Sequence, residues 1–506
     1  MKRFLERHRD RIIGTLAGFD RMLFRGTLRS ITHVSGLEIF LYSQRVLMKD
    51  FGSYVVRLSE RLVEHAKQLA SKAGRPYVYL PSSKDSKEEL ALQIAERDGI
   101  KQGLICVFAC VEPCQSFDLR KDAATKHLKL VSKERKCQHL YFYYLDREFG
   151  LMHVRLQSWL PFSIQVCING REWLARQMDR AGINYRKRDN CFTYIADPQR
   201  AQQLMDRLTA RNFRPFLDTL ARKVNPWIEP GTGLDIRSYY WSGRQTEYAL
   251  DVMFRSAASL AELYPLLLRH AVFQFGSEDV MRFLQRRTNQ RFAGEVSSDL
   301  QRRVEGIRVK HRVEENSIKM YDKQASVLRI ETTINNPRCF KVRRRGFRQG
   351  KLVMKWLPLR KGIADLRRRA ELSQAANARY LDALAVVGLE TPSYRLLDRV
   401  SQRIKTKRQY RALRPISPED ASLFQIILHG KFFLQGFRNR DLRQALGQSE
   451  PKKSSARVSR LLALLRAHQL IFKVCKTNYY RITRKGHQVM ATALKFRQPD
   501  VVLLAA

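Results

Sequence analysis

Residues 417–497 constrain the fold more than any other part of the sequence, because segments of different periodicity follow one another there in a fixed order. Apolar residues at helical spacing predict a first helix over SPEDASLFQIILHGKFF, a second over RNRDLRQAL and a third over SARVSRLLALLRAHQL. LIFKVCKTNYYRIT then alternates as a β-hairpin does, and RKGHQVMATALKF returns to helical spacing. This order leaves few ways to bury one common core.

The same order resembles a winged helix, a helix-turn-helix variant with a β-hairpin wing. Four apolar residues of the third helix share the face predicted to pack on the core: Val458, Leu461, Leu462 and Leu465. Arg457 and Arg460 fall on another face, where a recognition helix meets the major groove. The wing residues predicted to reach phosphates are Lys476, Tyr479 and Arg481. A winged helix used for protein contact is the alternative.

The charge of the chain indicates its partner. Its 506 residues include 94 Lys and Arg against 48 Asp and Glu, a formal net charge of +46. Such an excess repels itself unless a polyanion neutralises it, so nucleic acid is the predicted partner, with DNA favoured over RNA. We expect no membrane partner, because no apolar run approaches the roughly 20 residues of a membrane span. MKRFLERHRDR does not have the pattern of a signal peptide, so we expect a bacterial cytoplasmic protein with reduced thiols.

Shifts in composition and periodicity predict a mixed α/β multidomain fold, with a mixed-sheet N-terminal body, a basic β-containing central region and the C-terminal winged helix. The predicted segments are an α/β domain over 1–135, a β-hairpin with a strand–helix unit over 136–225, a helical and β-hairpin basic region over 226–398, a basic linker over 399–414 and the winged-helix domain over 415–498. Within them, RIIGTLAGFDRMLFRGTLRS predicts two strands that turn near Asp20. The stretch SYYWSGRQTEYALDVMFRSAASLAELYPLLLRH predicts a helix.

One candidate site lies in SIKMYDKQASVLRIETTI, where two alternating runs predict paired strands joined through DKQAS. Lys319 and Tyr321 share a face of the first run, and Arg329 and Glu331 share a face of the second. If these faces coincide, the lysine and the arginine hold a phosphodiester and Tyr321 is a candidate nucleophile. Glu331, with Asp322, is a candidate ligand of Mg²⁺ or Mn²⁺, or a general base. Cross-strand ion pairs on a solvated face are the alternative.

The region around this motif is strongly basic. CFKVRRRGFRQGKLVMKWLPLRKG has nine basic residues and no acidic residue from Lys341 to Lys361, and it predicts a basic hairpin. The residues of the region predicted to contact nucleic acid are Lys310, Arg312, Arg343, Arg344 and Arg345.

A second candidate site combines three separated carboxylates. Asp20 ends a predicted first strand, Glu112 ends the buried strand GLICVFACVE, and Asp251 lies on a predicted helix one turn from Glu247. This is the chain order of RNase H-like and resolvase-like nucleases, in which carboxylates hold two divalent ions that activate water and stabilise the leaving oxygen. Helix-surface charges and a strand-end turn are the alternative.

Two resemblances bear on function. YDK followed by LRIE resembles the replication initiators of rolling-circle plasmids and filamentous phages, which also carry a His-hydrophobic-His metal pair; none of the 11 histidines here forms H-x-H. GFDRMLFRGTLR, NGREWLARQMD and the C-terminal segment together resemble a bacterial family of strongly basic proteins associated with mobile elements. The first resemblance implies a replication-initiator function, and the second implies a protein of mobile-element type without supplying a mechanism. Together with the carboxylate sets, we expect a metal-dependent DNA nuclease, strand-transfer or replication-initiator-like protein. The alternative is a non-enzymatic DNA- or RNA-binding regulator or ribonucleoprotein component.

Overall fold

The computed structural model describes residues 1–82, 84–229, 234, 238–286, 296–303, 306–385, 387, 394–405, 408–428, 432, 436–447, 451–475 and 477–497. The protein is a mixed α/β structure with a large mixed sheet, as the sequence predicts. Its contacts divide the chain into two discontinuous units. The first unit comprises Met1–Ile12, Phe254–Ile330 and Ala376–Ala506, and the second comprises Ile13–Met253 and Glu331–Ala375.

The strands of the large sheet are β1 Ile12–Thr27, β2 Tyr77–Leu80, β3 Gly103–Lys121, β4 Leu128–Asp146, β5 Gly150–Gln157, β6 Ile164–Asn169, β9 Tyr240–Phe254, β10 Val296–Arg303, β11 Gly306–Val313, β12 Asn316–Lys323 and β13 Val327–Ile334. The remaining strands form two-stranded sheets: β7 Tyr185–Arg188 with β8 Cys191–Ile195, β14 Lys341–Arg348 with β15 Lys351–Pro358, β16 Ile404–Lys405 with β17 Gln409–Tyr410, and β18 Ile471–Lys473 with β19 Tyr480–Ile482.

The α-helices of the described residues are α1 Lys2–Arg7, α2 Val34–Ser43, α3 Phe51–Lys72, α4 Lys87–Arg97, α5 Gly170–Arg180, α6 Pro198–Ala210, α7 Arg214–Val224, α8 Ala257–Phe273, α9 Ser277–Phe283, α10 Leu366–Leu384, α11 Tyr394–Asp398, α12 Pro418–Ile427, α13 Asn439–Ala445, α14 Pro451–Ala467 and α15 Arg484–Arg497. Among these residues, no helix combines the length and the apolar character needed to cross a bilayer.

In the second unit, the strands follow the order β13-β9-β1-β6-β5-β4-β3-β2. The β3–β4, β4–β5, β5–β6 and β6–β1 pairs are antiparallel, and β2 pairs with β3 in parallel. α4 connects β2 to β3, and its small residues Ala91 and Ala95 are buried with Phe108 of β3 in one apolar cluster. This agrees with the strand–helix–strand unit that the sequence predicts.

The prediction of two strands turning near Asp20 is wrong, because β1 runs without a break for 16 residues and Asp20 lies inside it. The glycines that suggested turns serve close packing instead. A Cβ atom at Gly14 would lie 2.7 Å from the Pro198 ring, and one at Gly18 would lie 2.3 Å from the Met205 side chain. Both contacts are with α6, so the missing side chains let this helix lie directly against the strand.

The prediction of a helix over residues 238–270 is wrong in its first half, which forms β9. The helix α8 begins afterwards, where the Ser256 side chain accepts a hydrogen bond from the backbone N–H of Ser259. The misleading signal was the apolar run that ends β9, because all of ALDVMF is buried and therefore has no period-two alternation.

In the first unit, the strand order is β10-β11-β12-β13, and β10–β11 and β11–β12 pair antiparallel. The C-terminal helices and strands occur in the order the sequence predicts, from α12 through α13 and α14 to the β18–β19 hairpin and α15. They enclose one apolar cluster to which Phe424, Val458, Leu465, Ile471 and Met490 belong. Leu461, predicted on the same helix face, packs against this cluster half-buried.

Candidate metal centre and basic surfaces

Three carboxylates meet on three neighbouring strands of the second unit. Asp20 lies on β1, Glu247 on β9 and Glu331 on β13, and these strands are consecutive in the sheet. One oxygen of each carboxylate lies within 4.8 Å of the corresponding oxygens of the other two. Neighbouring strands are separated by about 4.8 Å, and the outer strands β13 and β1 by about twice that distance, so the side chains of Asp20 and Glu331 must both reach towards β9 to attain this spacing.

The burial of this trio makes its charge costly. Asp20 is 1 % exposed and Glu331 is 2 % exposed, while Glu247 is half-buried. Carboxylates this close repel one another and lose hydration, so the ionised trio is stabilised by bound positive charge. Hard oxygen ligands of this kind suit Mg²⁺ and Mn²⁺. Within the described ranges, this is the one group of three or more His, Cys, Asp or Glu side chains with metal-binding proximity.

Asp20 is oriented by a loop outside the large sheet. The Asn190 amide nitrogen, in the turn between β7 and β8, donates to both carboxylate oxygens of Asp20 at 3.1 and 2.9 Å. The N-terminus of α5 also approaches β1 closely, since a Cβ atom at Gly170 would lie 2.2 Å from the backbone oxygen of Phe19. Glycine at the start of α5 and asparagine in the turn therefore fix the strand and the carboxylate that follows Phe19.

Glu331 lies on a strand that is buried on both faces. Every residue of β13 is buried, including Arg329, Thr332 and Thr333. Thr333 Oγ1 lies 3.5 Å from Glu331 Oε1, at the limit of hydrogen bonding. The alternation of VLRIETTI correctly predicts a strand, but the alternative of ion pairs on a solvated face is wrong, because a 2 % exposed carboxylate is not solvated.

The other predicted acidic residues lie apart from the trio. Asp251 is on β9 rather than on a helix, and its carboxylate lies 3.0 Å from the guanidinium of Arg171, both almost fully buried. It follows Glu247 by four residues, roughly 13 Å along a regular strand, which is too far to share one ion. Glu112 accepts hydrogen bonds from Tyr141 and, at 2.7 Å, from Arg155. The structure thus brings Asp20 together with Glu331, each from a different predicted set.

Glu247 is the member of the trio that the sequence did not single out. The sequence predicts Glu247 only as a neighbour of Asp251 on a helix. In the structure, Trp241, Gly243 and Thr246 of the first half of β9 are buried, and the residues between them are more exposed. The aromatic and β-branched residues of this stretch also favour a strand.

The YDK motif lies in the first unit, on β12, as predicted for a strand beside β13. The Tyr321 side chain is 5 % exposed, with the charged ends of Arg329 and Lys323 at 6.0 and 5.9 Å from its ring centre. Tyr321 and Arg329 therefore come together as predicted, and Lys319 lies on the same strand as Tyr321, opposite Lys310 in the register. The role of Tyr321 as a nucleophile stays a prediction.

The carboxylate of Asp322 makes a structural contact. It accepts a hydrogen bond from the backbone N–H of Ile307 at 2.6 Å, and burial raises the pKa of this carboxyl. Gly306 has φ of 138°, and a Cβ atom there would lie 2.5 Å from the Asp322 backbone oxygen. Asp322 closes the β11–β12 pairing and does not join the carboxylate trio.

A basic cleft of about 710 Å³ lies in the second unit. Its lining includes the exposed Tyr240, the buried Trp241 and the arginines Arg29, Arg211, Arg214, Arg360 and Arg367. The guanidinium of Arg29 lies 3.5 Å from the ring centre of Tyr240, a stacking distance. Arg211 pairs with Glu148 at 2.6 Å and Arg214 lies 3.6 Å from Asp218, so part of the positive charge is balanced within the protein. The cleft suits a phosphate-bearing ligand.

The predicted nucleic-acid contacts of the C-terminal segment differ in accessibility. Arg457 and Arg460 are exposed on α14, on the side away from Val458. Tyr479 lies under the guanidinium of Arg438, at 4.4 Å. Lys476 lies outside the described residues.

Arg481 is not placed as a phosphate contact. Its side chain is 9 % exposed, and it pairs with Glu278 at 2.6 Å and with Asp279 at 3.3 Å. Burial beside two carboxylates makes it a structural residue of the first unit. Alternation along a three-residue strand is too short to distinguish a buried arginine from an exposed one.

The predicted nucleic-acid contacts of the central region also differ in accessibility. Arg343 and Arg345 are exposed on β14, while Arg344 is half-buried with its guanidinium 3.6 Å from Asp365. Arg312 lies 3.5 Å from Asp299, and burial, with the charge of Lys319, lowers the pKa of Lys310.

Comparison of the chain with protein-family models, with curated proteins and with solved structures finds no match to any of them. The functional assignment therefore depends on the geometry and chemistry of the residues described above.

Proposed function

We propose that this chain is a metal-dependent nuclease or strand-transfer enzyme of mobile-element type that acts on nucleic acid, with DNA the favoured substrate. The observation that carries this proposal is the approach of Asp20, Glu247 and Glu331 to within 4.8 Å on consecutive strands. Residues from three distant parts of the sequence supply the carboxylates, and two of them are nearly inaccessible to solvent. Ion pairing on a protein surface does not explain such an arrangement.

In this proposal the trio holds Mg²⁺ or Mn²⁺. A divalent ion so held polarises a phosphoryl oxygen and generates a nucleophile from bound water at neutral pH. Asn190 keeps both oxygens of Asp20 in a fixed orientation through its two hydrogen bonds. Burial of Asp20 and Glu331 excludes bulk water and strengthens their electrostatic interactions.

The arginines of the basic cleft are the proposed phosphate-binding groups of the same unit. Arg29 and Tyr240 present a stacked cation and ring, and Arg360 and Arg367 add two more guanidinium groups. Guanidinium groups match phosphate oxygens in planar, two-point hydrogen bonding. The high net charge of +46 agrees with a polyanionic substrate.

We further propose that residues 415–498 are a winged-helix DNA-binding domain. Support comes from the order of its helices and hairpin and from their shared apolar cluster. Arg457 and Arg460 project from α14 into solvent, as base- or phosphate-contacting residues of a recognition helix do. These exposed arginines also favour the second candidate function, a DNA- or RNA-binding protein without catalytic activity.

A cleavage assay distinguishes the two candidates. The full chain is incubated with labelled single- and double-stranded DNA and RNA, with Mg²⁺, with Mn²⁺ or with a chelator. We expect metal-dependent cleavage that falls to background in Asp20→Asn and in Glu331→Gln, since each removes a ligand charge but keeps the size of the side chain. Glu96→Gln, at an exposed carboxylate of α4, is the matched control and should cleave normally.

The second candidate, a nucleic-acid-binding protein without catalytic activity, is supported if the parent protein binds nucleic acid but cleaves none. Cleavage that persists unchanged in Asp20→Asn and Glu331→Gln would place the active site elsewhere in the chain.

A further inference from the structure

The hairpin of β14 and β15 has two unlike faces. Its antiparallel register pairs Arg343 with Trp356, Arg345 with Met354 and, nearest the turn, Phe347 with Leu352. Directly opposed residues of an antiparallel pair point to the same side, and alternate pairs share a face. The outer face, as we name it, consists of Arg343, Arg345, Phe347, Leu352, Met354 and Trp356.

The outer face leaves large apolar side chains in solvent. Phe347 is 70 % exposed, Trp356 is 66 % exposed, and Leu352 and Met354 are 54 and 52 % exposed. The opposite face is covered where the hairpin begins, since Val342 is 9 % exposed. Single exposed apolar residues are normal on proteins, but four together on one side of a short hairpin indicate an interaction surface.

The charge around this face indicates what it contacts. No acidic residue occurs from Lys341 to Lys361, which contains nine basic residues, and Arg343 and Arg345 of the outer face are both exposed. The charged partner is therefore an anion. The partner must also have a surface on which the exposed rings can pack, because phosphate groups alone offer none.

We propose that the outer face binds unpaired bases of a nucleic acid, with Trp356 and Phe347 as stacking platforms and Arg343 and Arg345 on the phosphates between them. This rests on the proposed function in that the substrate is a nucleic acid, and it adds that the substrate is held through single-stranded bases. Aromatic rings with interspersed cations bind single strands in this way, because every base has a π-face. In an intact duplex the faces of the bases are stacked on one another and cannot cover the rings.

The position of the hairpin in the chain supports this assignment. Arg360, which lines the basic cleft, follows the end of β15 by one intervening residue, and Arg367 lines the same cleft from α10. Hairpin and cleft thus form consecutive basic stretches of the second unit. A single strand engaged by the rings can therefore continue onto guanidinium groups.

The test measures binding of the full chain in chelator, so that it does not depend on cleavage. Fluorescence anisotropy is recorded with a labelled single-stranded oligonucleotide, with the duplex of the same sequence, and with vesicles of phosphatidylcholine and phosphatidylserine. We expect Trp356→Ala and Phe347→Ala each to weaken single-strand binding about tenfold and to change duplex binding less than about twofold. Trp356→Tyr, which keeps a ring, should retain most of the affinity.

The matched control is Tyr42→Ala, which removes an aromatic side chain that is 86 % exposed outside the hairpin and should leave all three affinities unchanged. Equal losses for single strand and duplex, or no loss for either, would overturn the proposal. Loss of vesicle binding with oligonucleotide binding intact would overturn it too, and would assign the face to anionic lipid.

The same data separate this proposal from the proposed function. If the parent protein cleaves nucleic acid and the hairpin variants bind normally, the base-binding face alone is wrong. If the hairpin variants lose single-strand affinity but the parent protein cleaves nothing, the catalytic proposal is wrong and the base-binding face stands. A parent protein that binds no nucleic acid contradicts both.

Discussion

Buried and half-buried carboxylates of the second unit occur in two kinds of surroundings. Glu112 lies among donors, with Tyr141 and Arg155 at hydrogen-bonding distance and Lys87 at 3.4 Å. Burial alone would raise the pKa of Glu112, but the Tyr141 hydrogen bond and the Arg155 charge outweigh it and hold the pKa below its usual value. Asp20, Glu247 and Glu331 also have hydrogen-bond donors, Asn190 for Asp20 and Gln245 for Glu247, but these three carboxylates lie within 4.8 Å of one another.

We propose that this difference distinguishes carboxylates with a structural role from carboxylates that can hold a metal ion. A carboxylate with a guanidinium in contact has its charge balanced by the fold. Three carboxylates in contact have a shape and charge that a divalent cation completes. Asp251, at 3.0 Å from Arg171, belongs to the first kind, although its sequence position beside Glu247 suggested the second.

The largest expected effect tests whether Arg171 balances the charge of the buried Asp251 carboxylate. Arg171→Met removes the guanidinium that lies 3.0 Å from the carboxylate of Asp251, which is 1 % exposed. We expect the free energy of unfolding to fall by about 3–5 kcal/mol, measured by urea denaturation. The double variant Arg171→Met with Asp251→Leu removes both charges and should recover most of the loss. If the double variant is as unstable as the sum of the two single variants, the pair is not the source of the effect.

The next prediction tests the trio by metal linkage. Mn²⁺ at 100 times its dissociation constant should stabilise the parent protein by about 2.7 kcal/mol, because the metal binds the folded state alone. Glu331→Gln should abolish this gain, since a neutral amide replaces one of the carboxylate ligands. Thermal unfolding with and without Mn²⁺ measures the gain in both proteins. An equal gain in the parent protein and in Glu331→Gln would show that the metal binds elsewhere.

Local sequence patterns predicted those elements whose alternation reports a half-exposed strand. The hairpins of β4 with β5 and β14 with β15 are of this kind, and each was expected from period-two runs separated by short turns. The strand that carries Glu331 was also predicted from alternation, although every residue of it is buried. Conversely, β1 and β9 were misassigned, because glycines used for close packing resemble turns and a fully buried strand resembles a buried helix.

The meeting of the trio could not be predicted from local patterns. β13, β9 and β1 are far apart in the chain, and their order in the sheet is set by long-range packing. Periodicity identifies the face of a strand that a residue occupies, but it does not identify the neighbouring strand. The two predicted carboxylate sets therefore each contained one member of the trio, and the strand between them supplied the third.

Glu112→Gln gives a smaller effect with a distinct pH dependence. The amide cannot balance Arg155, so we expect a loss of about 1–3 kcal/mol at neutral pH, with the Mn²⁺ gain unchanged. Since the folded pKa of Glu112 is lowered from 4.5, its contribution is complete above that pH and disappears as the pH falls through the folded value. The stability difference between parent and variant should therefore shrink in acid. A difference that is constant from neutral to strongly acidic pH would contradict the assignment.

The smallest expected effect concerns the residue that orients the trio without joining it. Asn190→Ala removes the donor to both oxygens of Asp20 but leaves all three carboxylates in place. A carboxylate that loses these two hydrogen bonds samples more orientations, so Mn²⁺ affinity should fall about tenfold, as for other partners that orient a metal ligand. Thr193→Val, which removes a hydrogen bond to Arg186 within the same β7–β8 hairpin, is the control and should leave the affinity unchanged. If both variants lose affinity equally, the hairpin as a whole positions Asp20; if neither does, the fold of β1 alone is sufficient to orient this carboxylate.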